Sequence, residues 1–270
     1  MTAIEKLKKN IVENGSLIIA GIDPDVNLLP SAFSRDIPGI KQFFELIINK
    51  TIDRVAGFKF QMAHFLAMGS DGVALLKSLV DLALPDAYVI LDAKFGDIPS
   101  TMNFYKKFTF EYLNVDAVTI NPFLGFDSIR TFSDNMDRMV FVLCHTSNSG
   151  AKDLQELQCG ESAMYMVIAR KLVEMNMHGN IGVVLGATYP SELKEVRITM
   201  GNKAIFLIPG IGIQGGDIEI ALNSSILNKN DISLIAMSRS LIYRTEQNYM
   251  NAITAHIDKI NSDTSKFIKR

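Results

Sequence analysis

The sequence predicts a single-domain α/β protein built as a closed (β/α)8 barrel of parallel strands. Eight short apolar runs of strand length recur along the 270 residues, and segments with helical periodicity separate them. The runs are apolar throughout rather than alternating, as expected of parallel strands covered on both faces. Eight β-then-α units in about 250 residues match a barrel. A doubly wound open sheet is the alternative.

Each predicted strand is a run of aliphatic, β-branched and aromatic residues that ends at a polar residue, Gly or Pro. In chain order the strands are residues 17–22, 55–60, 87–91, 117–120, 140–143, 181–185, 204–208 and 233–237. The helical segments are residues 40–53, 72–84, 102–113, 161–176, 191–200 and 217–227. Residues 1–14 form a lysine-rich amphipathic stretch, which predicts a helix covering one end of the fold, and residues 262–270 are expected to be a frayed tail. No linker or composition shift divides residues 1–270 into two domains.

The composition indicates an ordinary globular chain with a small-molecule partner. Hydrophobic residues make up 48% of the chain and charged residues 21%, which is enough for a substantial core. The formal net charge of −2 argues against nucleic acids and anionic membranes, because such partners need a clustered basic face. Cys144 and Cys159 lack the spacing of a zinc site or disulfide framework, which indicates a reducing compartment. With no secretory signal or membrane-length apolar run, we expect a cytoplasmic protein.

Charged residues gather where the second and third predicted strands end, which is the edge that carries the active site in such barrels. Asp92 and Lys94 are two residues apart on an extended backbone, so their side chains share a face, while Asp97 falls in the following loop. Lys59 stands in an apolar run and must reach the barrel mouth or pair with an acid. Because strand two lies beside strand three in a barrel, Asp92 is the acid expected to pair with Lys59. A solvated ion pair at a strand end remains the alternative for Asp92 and Lys94 taken alone.

The loops after strands seven and eight have the composition of a phosphate site. Pro209, Gly210, Gly215 and Gly216 lie in a glycine-rich loop that precedes a helix, and Arg239 follows strand eight. Glycines let backbone amides approach an anion closely, and an arginine can form a forked pair with phosphate oxygens. Barrels frequently bind phosphate at these two loops. A plain turn is the alternative.

Two further strand ends carry polar candidates. Asp23 follows strand one, and its neighbour Asp25 has the pattern of a turn residue. Residues 145–150 after strand five form a neutral polar loop that suits a heterocyclic base, although an exposed turn has the same composition. His145 has no second ligand at metal-binding spacing, so no metal site is predicted there.

Together these residues resemble the orotidine 5′-monophosphate decarboxylase family in its longer bacterial-type branch. The family's Asp-x-Lys-x-x-Asp-x-x-x-Thr motif stands here as Asp92, Lys94, Asp97 and Thr101, and its strand-two lysine stands as Lys59. The resemblance runs nearly end to end. It also includes residues 21–25, 58–61, 121–125, 146–148 and 184–190.

The resemblance implies decarboxylation of orotidine 5′-monophosphate (OMP) to uridine 5′-monophosphate (UMP), the last step of de novo UMP synthesis, without cofactor or metal. Lys94 would protonate C6 of the pyrimidine, Asp92 would press against the substrate carboxylate, and Lys59 would complete the array. The resemblance further implies a homodimer in which Asp97 and Thr101 reach the neighbouring subunit's site.

For the substrate, the resemblance implies ribose binding by Asp23 and contact with the pyrimidine edge by Ser147. It implies phosphate binding by Gln214, Gly215 and Arg239. The predicted substrate-binding set also includes Gln61, Thr101 and Pro209.

Two other functions are left open. A magnesium-dependent sugar-phosphate decarboxylase or synthase of the same superfamily would share the motif of strand three. Such enzymes carry an acidic metal ligand at the end of strand two, where this chain has Lys59, and the charge of Lys59 would oppose a divalent ion. A non-catalytic nucleotide sensor would bind UMP through Asp23, Ser147 and Arg239. Excess chelator tests the first alternative and turnover tests the second.

Overall fold

Eight parallel strands close into a barrel in the computed structural model, which describes residues 1–212, 215–244 and 248–268. Each strand pairs with its neighbours in the chain, and the first pairs with the last, Ile18 lying opposite Ile235. The predicted fold class is confirmed. The strands are β1 (Ile18–Ile22), β2 (Gly57–Gln61), β3 (Tyr88–Phe95), β4 (Ala117–Ile120), β5 (Met139–His145), β6 (Ile181–Leu185), β7 (Phe206–Ile208) and β8 (Ser233–Met237).

Helices surround the barrel and connect its strands. They are α1 (Ala3–Glu13), α2 (Ile37–Thr51), α3 (Met62–Leu66), α4 (Gly69–Ala83), α5 (Pro99–Lys106), α6 (Phe126–Ser133), α7 (Ala151–Leu154), α8 (Met164–Met175), α9 (Pro190–Met200), α10 (Ile218–Ser225), α11 (Arg239–Ile242) and α12 (Tyr249–Ile268). A π-helical segment, Lys107–Tyr112, extends α5, and Pro122–Leu124 and Gly201–Lys203 are 3-10 turns. A short antiparallel hairpin joins Gln158–Cys159 to Ser162–Ala163. None of the described helices is both long and apolar enough to cross a membrane.

Helix α1 covers the end of the barrel where the strands begin. Thr2 caps its first turn by accepting a hydrogen bond from the Glu5 N–H. The Lys6 ammonium lies 2.8 Å from the Asp116 carboxylate, just before β4, and donates to the carbonyl of Leu84. Asn10 donates to the carbonyl of Ala56, just before β2. These contacts leave the opposite, carboxyl end of the barrel as its open mouth.

The chain's last segment differs from the expected frayed tail. Helix α12 continues through Ile268, and Ile260, Thr264 and Phe267 are buried. Their spacing of three and four residues places them on one helix face. This face contributes to the hydrophobic core and keeps the segment helical although its exposed positions are polar.

Two barrel strands change register at their carboxyl ends. In β3 the pairing with β4 shifts between Leu91 and Phe95, and in β5 the pairing with β6 shifts between Leu143 and His145. Irregularities of this kind redirect side chains and occur often beside active sites. Here they set the directions of the charged residues after Leu91 and of the polar loop after His145.

Candidate active site

A carboxylate lies between two ammonium groups at the barrel mouth. The Nζ of Lys59, on β2, is 2.7 Å from Oδ2 of Asp92, on β3, and the Nζ of Lys94 is 2.5 Å from Oδ1 of the same carboxylate. The side chain of Lys59 is 8% exposed and that of Asp92 is 9% exposed, whereas that of Lys94 is 42% exposed. Lys94 is therefore the more accessible of the two ammonium groups. We call these three residues the charged array.

Mutual attraction within the charged array favours the ionised forms of Asp92 and Lys59. Burial by itself would raise the pKa of Asp92, but the charges of Lys59 and Lys94 outweigh burial and hold that pKa well below its usual range. Burial would likewise lower the pKa of Lys59, but the carboxylates of Asp92 and Asp23 raise it above the ordinary lysine value. Gln61 adds a donor to Asp92 Oδ2 at 3.3 Å. The site thus presents a negative charge held in place by fixed positive charges.

The array lines a cavity of about 480 Å3 that extends across the barrel mouth. Asp23 borders it beside Lys59, and the buried Oδ1 of Asp23 has no hydrogen-bond partner among the residues that the structure describes. An unsatisfied buried acceptor is suited to a ligand hydroxyl. The other lining residues include Thr119, Leu143, Thr146, Ser147, Asn148, Gln155, Val184, Leu207, Pro209, Gly210, Ile211, Ala236, Ser238 and Ser240.

The part of the cavity lined by residues after β7 and β8 carries a guanidinium. Arg239 begins α11 and lines the cavity together with Pro209 and Gly210. Within the described chain, no residue forms an ion pair or hydrogen bond with its guanidinium. Gly215 has a φ of 86° and donates its N–H to the carbonyl of Gly212, but it does not line the cavity. An anion is the ligand that this end would accept.

The structure brings most of the predicted site together and leaves part of it outside. Lys59, Asp92, Lys94, Asp23, Gln61, Ser147, Pro209 and Arg239 all line the one cavity. Asp97 and Thr101 lie beyond it, and Oδ1 of Asp97 accepts a hydrogen bond from the Ile98 N–H at 2.8 Å. The predicted residue Gln214 lies outside the described residues. Within those residues, no group of three or more His, Cys, Asp or Glu side chains is arranged to hold a metal ion.

Two residues of the cavity have no place in the sequence prediction. Thr119 of β4 donates its hydroxyl to Oδ1 of Asp92 at 2.9 Å, and the side-chain amide of Gln155 bonds to the N–H and the hydroxyl of Thr146 across the polar loop. A threonine within the apolar run 117–120 was the available signal for the first. Nothing in the local sequence distinguishes Gln155 from a surface glutamine.

Comparisons with known proteins all point to the same family. Residues 17–248 match the model of the "Orotidine 5′-phosphate decarboxylase / HUMPS family". A relative from Thermomicrobium roseum named orotidine 5′-phosphate decarboxylase is 41% identical over 246 residues, which are 90% of this chain and 87% of the relative. One of the same name from Ralstonia pickettii is 38% identical over 255 residues, covering 93% and 94%.

Solved structures extend the comparison. The OMP decarboxylase of Leishmania donovani superposes with a TM-score of 0.84 at 30% identity, covering 97% of this chain and 100% of the other. The UMP synthase of the same organism superposes with a TM-score of 0.86 at 32% identity, and there this chain spans only 56% of the longer protein.

Proposed function

The chain belongs to the orotidine 5′-phosphate decarboxylase / HUMPS family, and we propose that it decarboxylates OMP to UMP and carbon dioxide. The observation that carries the proposal is the charged array, in which Asp92 is held between Lys59 and Lys94 at the mouth of the cavity. For a substrate that loses a carboxylate and gains a proton, a negative group beside the carboxylate adds repulsion that ends on its departure, and a cation beside the reacting carbon stabilises the developing charge.

The cavity's polar groups match the three parts of a pyrimidine nucleotide. The phosphate binds to Arg239 and the neighbouring loop amides, since its charge complements the free guanidinium. The ribose hydroxyls donate to Asp23, whose Oδ1 is otherwise unsatisfied, and contact Lys59. The neutral segment with Ser147 faces the pyrimidine. This places C6 and its carboxylate over Asp92 and Lys94.

The reaction follows from that placement. With the substrate carboxylate about 4 Å from Asp92, the two like charges repel by about 4 kcal/mol at an effective dielectric constant of 20, and the repulsion ends when carbon dioxide leaves. The C6–carboxylate bond breaks and its electron pair stays on C6. The nearby ammonium of Lys94 stabilises this developing charge and donates its proton to C6, which yields UMP. Lys59 keeps Asp92 ionised and in position.

Asp97 and Thr101 act in the cavity of a partner subunit. Both lie outside their own cavity, and large apolar side chains are exposed beside them. Ile98 is 56% exposed next to Asp97, and Phe104 is 71% exposed one helical turn after Thr101. An exposed apolar patch of this kind is typical of a protein interface. The proposed assembly is a homodimer.

The experiment follows the loss of ultraviolet absorbance of OMP in the presence of excess chelator. We expect turnover by the unmutated chain and a loss of about 10²- to 10⁴-fold or more in Lys94→Ala, because a positioned general acid contributes about that much. Lys171→Ala is the matched control, since its side chain is 44% exposed and lies outside the cavity. Absence of turnover by folded wild-type protein contradicts the proposal. Turnover of sugar phosphates that needs magnesium would instead indicate the other branch of the family.

A further inference from the structure

Four of the cavity-lining residues belong to a single segment, residues 146–155, which we call the base loop. They are Thr146, Ser147, Asn148 and Gln155. The base loop is closed at its ends, because Oε1 of Gln155 accepts the N–H of Thr146 at 2.7 Å and Nε2 donates to the Thr146 hydroxyl at 2.9 Å. Its shape therefore depends on how its two ends are held.

A second link joins the residues that flank the base loop. Nε2 of His145, the residue before it, lies 3.2 Å from Oε1 of Glu156, the residue after it. A carboxylate only accepts, so Nε2 of His145 carries the hydrogen that is donated. The His145 side chain is fully buried, while that of Glu156 is 35% exposed. A buried imidazole ring thus links the two residues that flank the base loop.

Aromatic packing fixes the orientation of that ring. The ring of Tyr165, in α8, lies edge-on to His145 at 5.0 Å between centroids, and the ring of Tyr189, just before α9, lies edge-on at 4.2 Å. Tyr165 is itself held by donating its hydroxyl to Glu195 at 2.7 Å. The His145 ring cannot turn without displacing these neighbours.

The backbone of His145 connects the ring to Ser147. The Gly186 N–H donates to the His145 carbonyl at 2.7 Å. Gly186 also lies directly under Ser147, since a Cβ added there would be 2.8 Å from the Ser147 Cα. Displacement of His145 would therefore move Ser147 relative to the cavity.

We propose that His145 is a positioning residue that holds the base loop, through Glu156 and the flanking tyrosines, at the distance a pyrimidine base requires. The proposal rests on the proposed function. His145 does not line the cavity, so its effect reaches the substrate only through the loop. It acts on the base-dependent part of nucleotide affinity and leaves the phosphate and ribose contacts intact.

The test compares the dissociation constants of UMP and ribose 5-phosphate by calorimetry. His145→Phe keeps a packed ring and removes the hydrogen bond to Glu156. We expect UMP affinity to fall about 10-fold and ribose 5-phosphate affinity to change less than about 2-fold, a loss of about 1.4 kcal/mol in base binding. Asn176→Ala is the control for general destabilisation, because that buried side chain bonds to Ile181 at the opposite end of the barrel. It should leave the affinity ratio unchanged.

Substitutions at the exposed partner keep the test decisive if His145→Phe does not fold. Glu156→Ala removes the acceptor and should lower the ratio of UMP affinity to ribose 5-phosphate affinity. Glu156→Gln retains an acceptor oxygen and should keep most of the wild-type ratio. An unchanged ratio in His145→Phe or in Glu156→Ala, or equal losses for both ligands, overturns the positioning role. Wild-type protein that does not prefer UMP over ribose 5-phosphate overturns the proposed function as well.

Discussion

The hydroxyl of Thr119 accepts a hydrogen bond from the backbone N–H of Lys94 at 2.9 Å, and the residue that it holds has a φ of 53°. A side chain other than glycine is strained in this left-handed region, by about 1–3 kcal/mol. The same hydroxyl donates to Oδ1 of Asp92 at 2.9 Å. Thr119 thereby stabilises the turn of β3 that brings the Lys94 ammonium against Asp92.

Thr119→Val should lower kcat about 10-fold, which corresponds to about 1.4 kcal/mol of lost transition-state stabilisation. Valine has the same shape but leaves the Lys94 N–H without its acceptor and Asp92 without one donor. Steady-state kinetics with OMP measures the effect. The control is Thr109→Val, since the buried Thr109 donates its hydroxyl to the Tyr105 carbonyl away from the cavity. Equal kcat values for the two variants would show that Thr119 does not position Lys94.

Lys59→Met should lower the free energy of unfolding by about 3 kcal/mol, the lower end of the cost of breaking a buried ion pair. The variant leaves Asp92 buried with only the more exposed Lys94 as its partner. Urea unfolding measures the difference. Lys77→Met provides the comparison, because Lys77 pairs with Asp81 on the surface and such pairs contribute less than about 1 kcal/mol. A loss no larger than that of the control would mean that Lys59 does not stabilise the fold.

The low pKa of Asp92 predicts a specific dependence of stability on pH. Because the folded-state pKa lies below the unfolded value, the contribution of Asp92 is complete above about pH 4 and is lost as the pH falls further. Relative to Asp92→Asn, the wild-type free energy of unfolding should decline below about pH 4 with a slope of up to about 1.4 kcal/mol per pH unit. Unfolding curves between pH 2.5 and 7 test this, and parallel curves for the two proteins would contradict it.

The sequence predicts that Asp92 and Lys94 lie close together, and their charged atoms do meet at 2.5 Å, but the extended backbone assumed for that prediction is interrupted at Lys94, whose φ is 53°. The sequence pattern was not enough to predict where β3 ends. The apolar run stops at Leu91, but backbone pairing continues to Phe95 after a register shift. Polarity is a poor guide to strand ends where the strand itself carries the site.

Contacts between distant segments were the other part that sequence reasoning missed. Thr119 reaches Asp92 only because of the register between β3 and β4, and Gln155 returns to Thr146 from the far side of a loop. Neither relationship has a local pattern. The C-terminal end of α12 differs from the expected frayed tail for a related reason, because the buried Thr264 and Phe267 are too few to outweigh the polar residues around them in the sequence.

Phe123→Asp should weaken the proposed homodimer at least about 10-fold, since it removes an apolar side chain worth about 1.5–3 kcal/mol when buried and adds a charge. Phe123 is 73% exposed and lies just after β4. Asn121, two residues earlier, donates its N–H to the carbonyl of Phe95, which places this segment near Asp97. Sedimentation and activity at falling protein concentration measure dissociation. Val12→Asp is the matched control, because Val12 is also 73% exposed but lies on α1. Equal behaviour of the two variants would place the interface elsewhere.

Mixing two inactive variants should restore activity if Asp97 acts across the interface. In a dimer of Lys94→Ala with Asp97→Ala, one cavity has its own Lys94 and receives the intact Asp97 of the other protomer, while the second cavity lacks both. Random exchange gives half heterodimers with one working site of two, so about a quarter of wild-type activity should return. Lys94 and Lys59 line the same cavity, so mixed Lys94→Ala and Lys59→Ala should stay inactive. Absence of recovery in the first mixture, with exchange verified by sedimentation of a tagged protomer, would assign Asp97 to its own subunit's site.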